Sequence, residues 1–141
     1  VVVRNEAENL PALFSSLARQ THRNFEVFIV DDHSTDGTTD LVRQYAPQAT
    51  YPIRLLELRH HPDGLPADGA FKKQGITWAV GQAVGDLIAT TDGDCTVPPG
   101  WLGALADCYR TENAVMVCGA VTFAPLRETA FSRLQAVEFS S

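Results

Sequence analysis

The chain is expected to fold as an α/β layer protein with a mostly parallel sheet. Three observations carry this expectation. Apolar segments of strand length alternate with segments of helical periodicity. Strand-like segments run straight into polar or acidic clusters, where ligands gather in sheets of this kind. Hydrophobic residues make up 45% of the 141 and charged residues 20%, the balance of one ordinary globular domain with a sizeable core.

The elements follow in order. Val1-Val2-Val3 reads as the end of a buried strand. Leu10, Leu13, Phe14 and Leu17 recur at helical spacing, with Asn9 as N-cap and Pro11 tolerated in the first turn. Residues 25–30 are β-branched and aromatic and predict a strand that ends at Asp31-Asp32. Ser34-Thr35-Asp36-Gly37 is turn and cap chemistry, and Leu41, Val42 and Tyr45 mark the next helical face, closed by Pro47. Ile53 to Leu58 is a third strand candidate, and 60–70 reads as a loop. Ile76, Ala79, Val80 and Ala83 predict a helix stopped by Gly85. Residues 87–91 predict a strand ending at Asp92, Pro98 or Pro99 opens a helix through Leu102 and Leu105, and 115–118 predict a further strand. No internal repeat or linker interrupts this order, so 1–141 is read as a single domain.

A net charge of -6 argues against broad nucleic-acid binding, which draws on a basic surface. An acidic protein that handles an anionic ligand calls for a cation or a few placed basic groups. Cys95, Cys108 and Cys118 fit no disulfide framework or zinc spacing and read as partly buried thiols. No stretch approaches the roughly 18 apolar residues of a membrane span, and no signal peptide is visible. The chain has no initiator Met and stops inside an amphipathic pattern, Phe131 to Phe139, so it is read as part of a longer chain.

Three strand ends are expected to face one crevice: Arg4-Asn5-Glu6, Asp31-Asp32 and Asp92-Gly93-Asp94. Two carboxylates separated by one glycine suit Mg²⁺ or Mn²⁺, hard ions that take one or two carboxylates together with substrate phosphates. Gly93 lets backbone and ligand approach closely. Alone, such a triplet is more often a solvated acidic turn; its apolar strand and acidic neighbours favour the cation. Asp31-Asp32 offers an acceptor for a uracil-like base or a ribose hydroxyl, or else is part of a capped loop before the helix at Thr38, with Asp36 or Ser34 capping. Lys72-Lys73 sits at a helix start, where cations are disfavoured unless an anion is near; a solvated surface pair is the plainer account. The histidines show no ligand spacing, and Trp101 reads as a packing anchor.

Taken together, Arg4-Asn5-Glu6-Ala7, Gln20-Thr21, Phe25-Glu26-Val27, the run from Val30 to Thr38, Lys72-Lys73, Gly85-Asp86-Leu87-Ile88, Thr91 to Cys95, Pro99 and Trp101-Leu102 resemble family 2 glycosyltransferases of the GT-A fold. The match runs from Val1 to about Phe123. The resemblance implies a Rossmann-like three-layer α/β/α sandwich and transfer of a sugar from a nucleoside-diphosphate donor, with UDP favoured, to a sugar or lipid-linked acceptor. It implies that Val3, Arg4, Asn5 and Glu6 line the base and ribose pocket, that Asp32 accepts from the base, and that Lys72 or Lys73 lies near the diphosphate, Lys73 being the one carried forward. Asp92 and Gly93 would lie by the ribose or the metal-bound water, with Asp94, joined by Asp92, as ligand to Mn²⁺ or Mg²⁺. Such enzymes mostly invert the anomeric carbon, with a carboxylate base in the C-terminal half; here that base is expected beyond Ser141, since Glu138 sits in a structural-looking helix. A cytoplasmic place, at the inner face of the membrane and with membrane contact through further regions, is implied as well, as is a role in cell-envelope polysaccharide synthesis. No nucleic acid is expected.

Three rivals share parts of this pattern. Asp92-Gly93-Asp94-Cys95-Thr96 also fits haloacid-dehalogenase-like phosphohydrolases, with Asp92 as nucleophile, although that string normally opens its domain. A sugar nucleotidyltransferase would need a Gly-rich basic loop where Arg4-Asn5-Glu6-Ala7-Glu8 stands. The chain could also bind nucleotide without catalysing anything.

Overall fold

The computed structural model describes residues 1–64, 69–112, 114–119 and 121. Three parallel strands form the sheet in the order β1 (Val2–Val3), β2 (Val27–Asp31) and β3 (Ile53–Glu57). Val3 is in register with Asp31, and Asp31 with Glu57, so the polar strand ends form one row. All five β2 residues are buried, as a parallel strand covered on both faces requires.

Alternation along the strands sends side chains to two layers of helix. Val3, Val27 and Ile29 join the core with α1 (Leu10–Ala18) and α2 (Thr38–Tyr45). The α1 stripe of Leu10, Leu13, Phe14 and Leu17 is almost wholly buried, each side chain contributing about 1.5–3 kcal/mol. On the other face, α3 (Phe71–Val80) approaches through Gly75. A Cβ there would stand 2.9 Å from a Val30 methyl and 3.4 Å from one of Val2. The layered α/β architecture is thus as the sequence predicts.

Other expectations need correction. Asn9 does not cap α1 with its side chain; its side-chain amide donates to Glu6 Oε2 at 2.7 Å, while the Glu6 carbonyl accepts the backbone amides of Asn9 and Leu10. The third helix spans Phe71–Val80 and is capped at Gly81, with turn-type bonds continuing to Ala83. Residues 87–91 form no strand: among the described residues no ladder partner reaches them, and a strand exists only through its partner's hydrogen bonds. Leu87 and Ile88 are accordingly exposed. Residues 115–118 are likewise irregular, with Val115 and Met116 exposed. Cys95 and Cys108 are half-buried free thiols, whereas Cys118 is exposed.

Helix α4 (Trp101–Glu112), the last among the described residues, begins in a compact unit of Val1–Ala106 and ends in a second unit, Asp107–Ser141. In the second, Arg110 pairs with Asp107 one turn away. The amphipathic pattern at Phe131 to Phe139, with Glu138, lies outside the described residues. Among the described residues no helix is long and apolar enough to cross a membrane.

Candidate functional site

The site is built on the loops that leave β1 and β2. Period-two alternation separates the two adjacent aspartates. Asp31 is 1% exposed and accepts the Ser34 amide at 3.2 Å, so it holds the loop after β2 in shape. Asp32 keeps a partly open side chain, with Arg4 at 3.9 Å and the His33 imidazole at 2.9 Å. The pair is thus divided: Asp31 serves the loop, and Asp32 keeps a partly open carboxylate.

The two loops are stitched together through side chains. The Asn5 amide donates to Ser34 Oγ at 2.9 Å and the Thr35 amide donates to Asn5 Oδ1 at 2.8 Å. The Glu6 amide donates to Thr38 Oγ1 at 2.9 Å, and the Ala7 amide to Asp36 Oδ2 at 3.0 Å. Asp36 also accepts the amide and hydroxyl of Thr38, the first residue of α2. The Thr38 hydroxyl, helped by the backbone amides, holds the Asp36 carboxyl below the usual carboxylate range. Asn5 and His33 both have φ of 57°, a left-handed conformation uncommon outside glycine and one for which Asn and His are among the enriched residues. His33 is held from both sides, by its bond to Asp32 and by edge contact with Phe71 on α3.

The acidic triplet lies against β1. A Cβ on Gly93 would stand 2.9 Å from a Val3 methyl and 3.1 Å from Glu6 Cγ, so only glycine fits without a shift. Asp92 and Asp94 stay exposed on either side. Lys72, in the first turn of α3, reaches Asp92 Oδ1 at 2.7 Å, while Lys73 is exposed on the same turn. The nearest partner of Asp94 is the thiol of Cys95, at 3.8 Å.

Among the described residues no group of three or more His, Cys, Asp or Glu converges on one point. Two exposed carboxylates with a closed glycine between them suit a hard cation that completes its shell with phosphate and water oxygens. The residues present fit Mg²⁺ or Mn²⁺ on those terms and do not fit a closed all-protein cage.

Two features escape the sequence reading. Gln20 is fully buried and uses both ends of its amide: Nε2 donates to the Pro98 carbonyl at 2.7 Å, and Oε1 accepts the Leu102 amide at 3.0 Å. With the Thr21 amide on Pro99 and the Val97 amide on Ser16 Oγ, the end of α1 holds the segment that follows the triplet. The other feature is Glu57 at the end of β3, one strand from Asp31. Burial pushes its carboxyl up, but hydrogen bonds from Arg59 and Arg43 outweigh this and leave it below the usual range. An acid closing a strand was the available signal.

Glycosyl transferase family 2 matches the chain over residues 1–140. The curated relative "Glycosyltransferase AglE" of Haloferax volcanii is 30% identical over 125 residues, covering 87% of this chain and 38% of its own length. The crystal structure of S. aureus TarS 1-349 in complex with UDP-GlcNAc superimposes with a TM-score of 0.63 at 25% identity, covering 79% of this chain and 30% of that one. The Pyrobaculum calidifontis mannosyltransferase PcManGT, solved with GDP-Man and Mn²⁺, has the same fold, with a TM-score of 0.63 at 24% identity over 77% of this chain and 30% of its own. The chain therefore spans well under half the length of these relatives.

Proposed function

Given that the chain belongs to glycosyl transferase family 2 and has the GT-A fold, we propose that it is the donor-binding domain of an inverting, metal-dependent glycosyltransferase. The donor is a nucleoside-diphosphate sugar, with UDP favoured, and the acceptor is a sugar or lipid-linked hydroxyl. The observation that supports this best is the pairing of Asp32 and the triplet around one residue. The Val3 carbonyl accepts the Asp32 amide at 2.8 Å, and the Val3 side chain seats Gly93.

Asp32 accepts an N–H of the base, and Arg4, Asn5 and Glu6 line the base and ribose pocket around it. Asp92 and Asp94 would hold the divalent ion, Mn²⁺ or Mg²⁺. When bound, that ion supplies Lewis-acid neutralisation of the charge growing on the departing diphosphate. The Lys72-Lys73 turn adds positive charge on the α3 side. The base that deprotonates the acceptor belongs to the acceptor-binding part, for which the relatives' greater length leaves room. Work at the cytoplasmic face of a membrane belongs to the same proposal and rests on the family alone.

Calorimetry of UDP binding tests the assignment. With Mn²⁺ present, Asp94→Ala is expected to weaken UDP binding by about tenfold or more, equivalent to about 1.4 kcal/mol, and without metal to leave it unchanged. Equal affinity of variant and parent in Mn²⁺ sinks the metal assignment.

A further inference from the structure

The ion pair between Lys72 and Asp92 joins two points that are each fixed to the sheet. Lys72 lies one turn before Gly75, which is packed against Val30 and Val2. Asp92 precedes Gly93, which is packed against Val3 and Glu6. The 2.7 Å contact therefore spans a narrow gap between α3 and the triplet and does not depend on a drifting backbone. Lys72 also stands at the positive end of its helix, where an ammonium is disfavoured without a nearby anion.

Both side chains are more than half exposed, so water screens the pair and it exchanges freely. A divalent ion on the same carboxylate would sit about 2.0–2.1 Å from its oxygen. An ammonium 2.7 Å from Oδ1 repels that ion and draws on the same negative charge, so the two cations compete for Asp92. Lys72 has to give up the pair before the ion takes Asp92 in full, and it does so at least cost where another anion receives it. A diphosphate is such an anion, since a lysine binds phosphate as a mobile point charge.

We propose that Lys72 is a built-in placeholder cation, holding Asp92 until the donor's diphosphate draws it away, so that nucleotide and divalent ion bind cooperatively. This rests on the reading of Asp92 as part of the cation site. Removing Lys72 strengthens binding of the ion alone and weakens binding of nucleotide alone. The favourable coupling between the two falls, whichever ligand is added first.

The test uses the full-length protein, with Mn²⁺ followed by paramagnetic resonance of the free ion and UDP by calorimetry. Lys72→Met is expected to bind Mn²⁺ alone about fivefold more tightly than the parent, the scale of one exposed ion pair. It is expected to bind UDP alone more weakly and to show a smaller enhancement of UDP binding by Mn²⁺. Lys72→Arg keeps the charge and is expected to retain most of the parent's coupling. If Mn²⁺ promotes UDP binding in the parent but Lys72→Met binds Mn²⁺ no more tightly, the placeholder role is wrong and the cation site stands. If Mn²⁺ leaves UDP binding unchanged in parent and variant alike, the cation site itself falls, and the placeholder with it.

Discussion

At Gly75 a hydrogen in place of a methyl group decides how closely α3 lies on the sheet. A side chain there must displace Val30, which is 1% exposed. Gly75→Val is expected to lower stability by about 2 kcal/mol, within the range for overpacked cores. Gly81 has a helical φ of -64° and only ordinary contacts at 3.6 Å, so Gly81→Ala is expected to be neutral or stabilising by about 0.5 kcal/mol. Urea unfolding of the two variants checks the contrast; equal losses would mean that the close approach is not what glycine serves at position 75. Residue identity made several of these positions legible. Asp31-Asp32 announced a strand end, and Gly93 announced a close approach, here to Val3 and Glu6. Which aspartate turns inward was not legible, because strand phase is set by packing against α1 and α2. Lys72 and Lys73 are likewise equivalent in sequence, and only helix rotation puts Lys72 at Asp92.

Among the elements, the end of α1 does more than close a helix. Gln20 reaches from it to both Pro98 and Leu102, and thereby anchors the chain between the triplet and α4. Gln20→Ala leaves the Leu102 amide without that acceptor and opens a small space in the interior. The expected loss is about 2 kcal/mol by chemical unfolding, with faster hydrogen exchange at the Leu102 amide. An unchanged exchange rate there would show that the segment is held by other means. Helices α1 and α2 and strands β2 and β3 were readable because their apolar periodicity coincides with the faces they bury. Residues 87–91 and 115–118 carry the same β-branched signal without a ladder. Such composition measures fitness for a pleated, half-buried surface and says nothing of whether a partner strand is available. The Gln20 anchor was invisible for a related reason: its partners lie 78 and 82 residues away.

For the molecule as a whole, acid is the condition that should loosen it first. Asp36, which ties the loops after β1 and β2 together, and Glu57, which holds Arg43 on α2 and Arg59 after β3, both have depressed carboxyl pKa values. A depressed carboxyl contributes stability that is present above its unfolded value and lost as pH falls through its folded value. The contribution of these two carboxyls is therefore expected to be lost below about pH 4, the region where free carboxyls titrate, and the melting temperature to fall there. Asp36→Asn should start lower and lose less on acidification; an acid drop of undiminished size would remove Asp36 from this account.

Val3 has a wider consequence. Its carbonyl fixes the Asp32 amide and its methyl seats Gly93, so one residue is the common joint of both ends of the site. The interval between Asp32 and the acidic triplet is consequently a calliper, cut to one length by the width of a single strand. On the proposed roles, a donor that spans it is gauged by its length as well as its charge, because both jaws are set on the same valine.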